Sequence, residues 1–407
     1  MRISTNQIYD QNIRAIMDNQ RGLADTQESL ATGKKLNRPS DDPVGAAKVI
    51  RLTEELDQLK QYQRNIDLVT GSLEQQEAVL DNITSAANRA RTLALQAGSG
   101  ILSDADRRAI GAEMEQLRDE VFDLMNSQDA DGNYIFAGFQ SQNQAFTLNP
   151  AAAGNAVTFS GDSGESYVQL SDSTRIQSTT SGQEVFENVL ARRDFSVTPP
   201  FTATVSESRV SEQGTFDTFH KNNYDPVTAA NNDYRITLQA GNQAQLTNVG
   251  TGAVVDTVSY NSGEPFTVKG MEFTLTGTVG DTVDFSLDAP EKKNLAQTID
   301  DLYRVLSNDT SGQDLRDSLS DAVVGIDNAM EKIGLERSSL GGRLNVAESI
   351  YETNLDLEIA AKESRSTIED VDYAEASAEF AKQETALNAA LATFPRISNL
   401  SLFDFIS

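Results

Sequence analysis

The chain has 407 residues, a formal net charge of −28 at pH 7, and neither cysteine nor tryptophan. Binding to nucleic acid by counterion release needs a basic footprint, so we expect no nucleic-acid partner. The lack of cysteine excludes disulfide frameworks and thiol chemistry. No apolar run approaches the roughly 20 residues that span a bilayer, so we expect no membrane insertion, and the first residues lack the pattern of a cleavable signal peptide.

The first predicted element is a weak helix over residues 9–30. Gln20 and Gln27 occupy positions in its apolar stripe where a core would have leucine. A helix with such an under-filled seam is poorly stable by itself. A polar, turn-rich connector follows over residues 31–43.

A much longer helix is predicted over residues 42–97, because apolar residues recur there at alternating steps of three and four. Only Gln76 interrupts this series. At 1.5 Å per residue the helix would be roughly 80 Å long, and it cannot bury its apolar face without partner helices of similar length. The stripe therefore predicts a helical rod, and it consists of Val49, Leu52, Leu56, Leu59, Tyr62, Ile66, Val69, Leu73, Leu80, Ile83, Ala87, Ala90, Ala94 and Ala97.

Several shorter elements come next. Ser103 is expected to cap a helix with the stripe Ile110 to Leu124. Residues 134–139 are expected to form a buried strand, and residues 157–161 and 167–170 a hairpin. A short helical patch is predicted over residues 182–190.

From residue 195 to residue 289 the apolar period is two, which indicates a compact all-β insert. Its predicted strands cover residues 234–238, 253–260, 266–268, 271–275 and 282–287. The insert contains no nucleophile elbow, phosphate loop or metal-ligand spacing.

Helix returns after the insert, first as a short stripe from Leu295 to Leu306. A third long stripe is the expected partner of the helix over residues 42–97. A thin stripe from Tyr373 to Phe394 follows, and Pro395 is predicted to end that helix. The third long stripe consists of Leu315, Leu319, Val323, Ile326, Met330, Ile333, Leu340, Leu344, Ala347, Tyr351, Leu355 and Ile359.

The two chain ends are similar to each other. Both are amphipathic helices whose seams are too poor for a stable monomer and too apolar to remain in water. A frayed terminus is the ordinary interpretation, but two matching ends favour assembly surfaces that become ordered only against neighbouring subunits.

We find no candidate for catalysis, for cofactor binding or for a metal site. His220 is the only histidine, and its polar neighbours predict a loop. The residues around Asp131 and Asn133 lack the alternating oxygen ligands and the closing glutamate of a calcium loop, so we interpret them as a turn.

Several segments resemble the bacterial flagellin family. Residues 1–9 and 30–46 resemble its N-terminal region, residues 88–96 the segment that contacts stacked subunits, and residues 370–373 the start of its C-terminal helix. Residues 1–5, 132–138 and 402–406 are more similar to those members that join the hook to the filament. The likeness covers residues 1–140 and 290–407 and omits the insert.

The resemblance implies a mainly α fold with a β insert: a flagellin-like, coiled-coil-like antiparallel helical rod with a β-hairpin, plus a separate small all-β outer domain. The expected division is residues 1–42 and 366–407 as terminal assembly helices, disordered in the monomer; residues 43–190 and 291–365 as the rod; and residues 191–290 as the outer domain. The expected assembly interface consists of Ile8, Ile13, Ile16, Leu23, Leu30, Arg89, Leu93, Phe380, Leu387, Phe394, Leu400, Leu402, Phe403, Phe405 and Ile406.

The implied function is structural, at an extracellular site on the bacterial flagellum. The subunit would join the hook to the filament after export in an unfolded state through the flagellar type III channel. Its implied partners are the first hook-associated protein on the hook side, flagellin on the filament side, other copies of itself in a ring, and a cytoplasmic export chaperone.

Three alternatives remain. Within the family, the chain could be flagellin, the bulk filament subunit. An enzyme carried in the insert, such as a metalloprotease, would need a pair of histidines on one helix, which His220 alone cannot supply. An adhesin or glycan-binding module displayed by the insert is the third.

Overall fold

The computed structural model describes residues 2–100, 102–152, 154–308 and 310–403. Contacts divide the chain into a first unit, Met1–Leu68, Gln169–Arg175 and Val346–Ser407, and a second unit, Val69–Val168 and Ile176–Asn345. The helices are α1 (Arg2–Thr32), α2 (Pro43–Ala97), α3 (Asp104–Met125), α4 (Gln213–Asn223), α5 (Leu295–Ser307), α6 (Gln313–Glu369) and α7 (Tyr373–Phe403). The strands are β1 (Phe146–Leu148), β2 (Val157–Phe159), β3 (Tyr167–Gln169), β4 (Arg175–Gln177), β5 (Phe195–Val197), β6 (Thr204–Val210), β7 (Asp233–Gln239), β8 (Gln243–Asn248), β9 (Val254–Ser259), β10 (Pro265–Val268), β11 (Met271–Thr276) and β12 (Thr282–Leu287).

In the first unit, α1 and α7 pack against each other as an antiparallel pair, which we call the terminal pair. The helix α7 continues through Pro395 to Phe403, so the predicted end at Pro395 is wrong. A proline inside a helix lacks one N–H and costs about 3 kcal/mol. That cost is confined to one turn, and the alanine-rich residues before it favour helix.

The same unit contains the first part of α2 and the last part of α6, which run antiparallel. Gln63 Nε2 donates a hydrogen bond to Glu358 Oε2 at 2.9 Å. The predicted stripe of α2 is confirmed here, since Leu56, Leu59 and Ile66 are buried.

The predicted stripe of α6 is wrong in this unit. Tyr351, Leu355 and Ile359 are 39%, 42% and 48% exposed, whereas Asn354 and Glu358 are 2% and 7% exposed. A helix turns 3.6 residues per turn, so each step of four advances about 40° around it. Three such steps from Ala347 to Ile359 therefore rotate the apolar line about 120° away from the buried face.

Buried apolar residues of α2, α3, α5 and α6 form the helical core of the second unit. Leu80, Met114, Ile299 and Ile326 are each fully buried. Ser103 caps α3 through a reciprocal pair of hydrogen bonds with Asp106, as the sequence predicts. The capped helix α3 packs closely on α5.

The segment between α3 and the insert differs from the prediction in its strand pairing. Residues 134–139 form turns with one isolated bridge, Gln128↔Tyr134, although Phe136 and Ala137 are buried as expected. β2 pairs with β1, and β3 pairs with β4, so the predicted hairpin is wrong. An alternating pattern indicates a strand but leaves its partner open. The predicted helical patch is a single π-helical turn, Gln183–Glu187.

The insert consists of two antiparallel sheets, the helix α4 and a short 3₁₀ helix, Ala229–Asn232. The larger sheet has the order β5-β12-β7-β8-β9 and the smaller β10-β11-β6. Phe195, Phe216, Phe273 and Phe285 contact one another in its core. All five predicted strands are present, but β5, β6 and β8 were missed. The insert is β-rich rather than all-β, because α4 contributes Phe216 to this core.

Candidate assembly interface

The terminal pair brings six of the predicted interface residues to one seam. Ile13, Ile16, Leu23 and Leu30 on α1, and Phe380 and Leu387 on α7, are all half-buried. Each helix of a pair has only one partner, so its apolar residues lose only part of their contact with water. The under-filled seam expected from the sequence is therefore present in the folded pair.

Polar residues lie within this seam. Thr26 Oγ1 donates a hydrogen bond to Gln383 Oε1 at 3.0 Å. A Cβ atom on Gly22 would lie 3.1 Å from Gln383 Nε2, so glycine leaves room for that side chain. Gln20 and Gln27, which the sequence places in the stripe, are instead exposed.

The connector between α1 and α2 forms hydrogen bonds with the connector between α6 and α7, next to the terminal pair. The N–H of Lys35 donates to the Glu369 carbonyl at 2.7 Å, and the N–H of Val371 donates to the Gly33 carbonyl at 3.0 Å. Lys34 and Glu369 also form an ion pair. Gly33 has a φ of +72°, and a Cβ there would lie 2.9 Å from Tyr373 Oη. Glycine is required because other residues are strained at this φ.

Arg89 is exposed on α2, and its Nε donates to Glu113 Oε1 at 2.7 Å. It remains a candidate interface residue. Leu93, in contrast, is 2% exposed and packs the core of its own chain, so its assignment to an assembly surface is wrong. Leu93 lies three residues after Ala90 and four before Ala97, both in the buried stripe, and this spacing already indicated burial. Leu95, which the sequence analysis missed, is 54% exposed.

Sequence reasoning also missed the outward apolar line of α6 formed by Tyr351, Leu355 and Ile359. The residues that replace this line in the buried face are polar and satisfied. Asn354 Nδ2 donates to the Leu170 carbonyl at 3.0 Å. Hydrogen bonds from Lys362 and then from Gln63 lower the pKa of Glu358, which keeps this carboxylate ionised.

The remaining predicted interface residues lie at the two ends of the chain. Phe405 and Ile406 lie outside the described residues. For the others only the helical backbone is described, and these are Ile8, Phe394, Leu400, Leu402 and Phe403.

Within residues 2–100, 102–152, 154–308 and 310–403, no group of three or more His, Asp or Glu side chains could hold a metal ion. No helix in the described part of the chain is long and apolar enough to cross a membrane.

His220 is one of the residues that the sequence analysis misplaced. It lies in α4, and its Nε2 is 2.8 Å from the Asp288 carbonyl oxygen. Burial lowers the pKa of His220 below its ordinary value. The ring also stacks on Tyr224, with 5.1 Å between the ring centroids. These contacts give His220 a role in the packing of the insert.

Comparison with known proteins identifies both helical regions. The family model of the bacterial flagellin N-terminal helical region matches residues 3–141. That of the bacterial flagellin C-terminal helical region matches residues 323–406. Together the two matches cover more than half of the chain.

Individual relatives match to different extents. Flagellar hook-associated protein 3 of Salmonella typhimurium is 36% identical over 146 residues, which is 36% of this chain and 46% of that protein. The match thus spans less than half the length of that relative. Flagellin B of Vibrio anguillarum is 24% identical over 380 residues, which is 91% of this chain and 89% of that protein.

The fold is similar to that of solved structures. The crystal structure of flagellar hook-associated protein-3 from Legionella pneumophila has a TM-score of 0.59 at 22% identity. It covers 79% of this chain and 99% of its own. The two matched helical regions show that this chain belongs to the bacterial flagellin family.

Proposed function

We propose that this chain is a structural subunit of the bacterial flagellum that joins the hook to the flagellin filament and catalyses no reaction. The observation that carries the proposal is the half-buried seam of the terminal pair. The likeness of this chain to flagellar hook-associated protein 3 favours a position at the hook–filament junction over other positions in the flagellum.

The physical argument starts from the apolar area that remains exposed along the terminal pair. Burial of apolar surface contributes about 25 cal/mol per Å². The half-buried residues of α1 and α7 gain only part of this in an isolated chain, whereas neighbouring subunits packed around the pair would supply the rest. We therefore infer that residues 1–42 and 366–407 are disordered in the monomer and become ordered on assembly.

A position at the hook–filament junction determines the partners. The subunit would contact the first hook-associated protein on the hook side, flagellin on the filament side, and further copies of itself in a ring. It would be exported unfolded to an extracellular site, with a chaperone holding it in the cytoplasm. A chain without cysteine cannot be trapped by disulfides during such export.

Deletion of the gene tests the proposal. We expect hooks that carry no filament, together with monomeric flagellin secreted into the medium, and restoration of filaments by the intact gene. Normal filaments in the deletion strain would refute a junction role. Immunogold labelling of purified flagella should place the protein in a short band at the hook tip.

Flagellin is the second candidate, and the match to Flagellin B along nearly the whole chain favours it. The same experiment separates the two, because loss of flagellin leaves a completed hook with its junction and no secreted flagellin. Labelling along the whole filament would also favour this second candidate.

The end of the chain provides a separate test of the terminal helices. Truncation from Leu400 removes the predicted interface residues Leu400, Leu402, Phe403, Phe405 and Ile406. We expect the truncated protein to fold and be exported but not to join the flagellum. Normal motility of the truncated strain would contradict an assembly role for this end.

A further inference from the structure

The chain enters and leaves the insert through one two-stranded ribbon, which we call the stem and which consists of residues 189–194 and 288–293. On the side of the helices, the N–H of Ala191 donates to the Glu291 carbonyl at 3.0 Å. On the side of the insert, the N–H of Asp288 donates to the Asp194 carbonyl at 3.1 Å. The insert is therefore connected to the helical part of its unit by two adjacent strands.

Between these two hydrogen bonds the stem is unpaired. No backbone hydrogen bond joins residues 192–193 to residues 289–290, all of which the structure describes. Pro290 contributes to this gap, because proline has no N–H to donate. Two strands without a bond between them resist bending less than a paired ribbon does. The gap is therefore the point at which the stem can bend.

A buried arginine in the gap holds the insert to α6. The side chain of Arg192 is 2% exposed, and it forms ion pairs at 2.5 Å with Asp194 of the stem and with Asp321 of α6. Asp321 is 56% exposed, so water competes with Arg192 for this carboxylate. An ion pair with an exposed partner contributes little to stability, so the contact between Arg192 and Asp321 can open.

Two further contacts between the insert and α6 are also polar. Arg316 Nη2 of α6 lies 3.1 Å from Glu207 Oε1 of β6, and the Arg316 side chain is more than half exposed. Gln313 Nε2 donates to the Ser208 carbonyl at 2.5 Å. Domains that meet through polar contacts of this kind are expected to move relative to each other, unless a large apolar interface joins them.

The packing around Arg192 is loose. Its side chain lines a cavity of about 530 Å³ together with residues of α5 and α6, and a second cavity of about 430 Å³ together with residues of α6 and the end of β6. Protein interiors normally contain few voids larger than a water molecule. The insert therefore rests on α6 without close packing at this point.

The next residue, Arg193, is not fully satisfied in this arrangement. Its Nε is buried and has no hydrogen-bond acceptor among the described residues. Its ion pair with Asp217 of α4 spans 3.8 Å, which is longer than a hydrogen bond. A buried donor without an acceptor is unfavourable, so a rotation of the stem that brings Arg193 an acceptor or water is favoured.

We propose that the stem is a hinge and that Arg192 is the latch that closes it, so that the insert swings as one body relative to α6. The unpaired gap provides the bend, and the exposed carboxylate of Asp321 provides a contact that can be released. The hinge belongs to the single chain and does not depend on the proposed function. In an assembly that bends, it would let neighbouring inserts take different angles while the helical parts remain alike.

The test measures a distance across the stem in the purified full-length chain. Thr257 of β9 and Glu331 of α6 are exposed, and Thr257→Cys with Glu331→Cys places one spin label on each side of the stem. The native chain has no cysteine, so only these positions are labelled. Double electron–electron resonance then gives the distribution of distances. Thr257→Cys with Val227→Cys, both on the insert, is the reference pair, since Val227 is 89% exposed.

We expect two distances across the stem, with the closed arrangement predominant. Arg192→Met keeps most of the side-chain length and removes its charge, and Asp321→Asn weakens the acceptor on α6. Each should raise the ratio of open to closed molecules about tenfold, the effect of losing one charged hydrogen bond. High salt should shift the unsubstituted chain in the same direction. Arg235→Met is the matched control, because its ion pair with Asp284 lies within the insert, and it should change nothing.

Three results would overturn the inference. A single distance that neither latch variant nor salt changes would show that the stem is rigid. An equal shift with Arg235→Met would show that Arg192 is not the latch. A shift of the reference pair would place the motion inside the insert.

Discussion

Asp300 is a buried carboxylate between α3 and α5, and its removal is expected to be costly. Arg118 Nη1 donates to Asp300 Oδ1 at 2.8 Å, and Arg304 Nε donates to Oδ2 at 2.6 Å. Asp300 is fully buried, and Arg118 is nearly so. Asp300→Ala therefore leaves a buried guanidinium without its buried partner.

The expected magnitude follows from these contacts. Removing one partner of a buried ion pair costs about 3–5 kcal/mol. Arg118 keeps a hydrogen bond to Asp119 at 2.7 Å. Asp119 is half-exposed, so it compensates only in part for the lost charge of Asp300. The loss of unfolding free energy should accordingly lie near the lower end of this range, about 3 kcal/mol. Asp300→Asn, which preserves the volume and one acceptor, should lose less.

Asp301→Ala is the matched control. Asp301 is the next residue of the same helix, its ion pair with Lys293 spans 2.7 Å, and its side chain is 40% exposed. Exposed pairs contribute about 0.2–1 kcal/mol. Asp301→Ala also removes the hydrogen bond that Asp301 Oδ1 accepts from the buried Gln297 Nε2 at 2.5 Å. The two alanine variants therefore remove the same charge, and the carboxylate itself is buried only at Asp300.

Native-state amide hydrogen exchange measures the effect locally, which matters because a chain of two units need not unfold in one step. We expect Asp300→Ala to accelerate exchange in α3 and α5 about 100-fold, since 1.4 kcal/mol corresponds to a factor of ten. Asp301→Ala should accelerate it less than tenfold. Equal effects of the two variants would refute the assignment of a buried, coupled charge.

Three further predictions concern other parts of the chain. Because burial lowers the pKa of His220, this residue binds protons more readily in the unfolded chain, so its contribution to stability should be lost as the pH falls below about 6.5. Burial raises the pKa of Asp194 to about 6, which acts in the opposite direction, so the contribution of His220 is measured as the difference between urea titrations of the unsubstituted chain and of His220→Gln. In purified flagella, where the connector after α1 is expected to be ordered, Gly33→Ala should speed amide exchange at Lys35, because alanine is strained at the positive φ of this position by about 1–2 kcal/mol. Gly71→Ala, with open space around it, should instead stabilise α2. In the monomer, amides of residues 1–40 and 365–407 should exchange within seconds, and slow exchange there would contradict disorder.

The sequence by itself determined the long helices and the β-rich insert. The apolar stripe of α2 runs from Val49 to Ala97 in a helix of 55 residues, and no other regular structure buries so many positions at this period. The alternating pattern of the insert predicts strands equally well, because each strand has a buried and an exposed face. The apolar stripe of the terminal pair was also predictable, but Gln20 and Gln27, which the sequence placed in its seam, are exposed, so the residues that leave the seam incomplete were not.

The partner of each strand and the face of each helix near its end were decided by tertiary contacts. β2 pairs with β1 rather than β3, although all three carry the same kind of pattern. The apolar stripe of α4 consists only of Phe216 and Phe219, and with polar residues on both sides it gave no helix prediction. The helix is stabilised because Phe216 and Phe219 pack against the sheets.

The last part of α6 shows the physical reason most directly. Leu340, Ala347, Asn354 and Ala361 recur every seven residues and are buried, although one of them is polar. Asn354 is accepted there because the Leu170 carbonyl receives its hydrogen bond, and a satisfied polar group can be buried at little cost. Sequence patterns specify which residues are apolar, but the neighbours brought by the fold decide which face is covered. The same helix therefore keeps Tyr351, Leu355 and Ile359 at the surface.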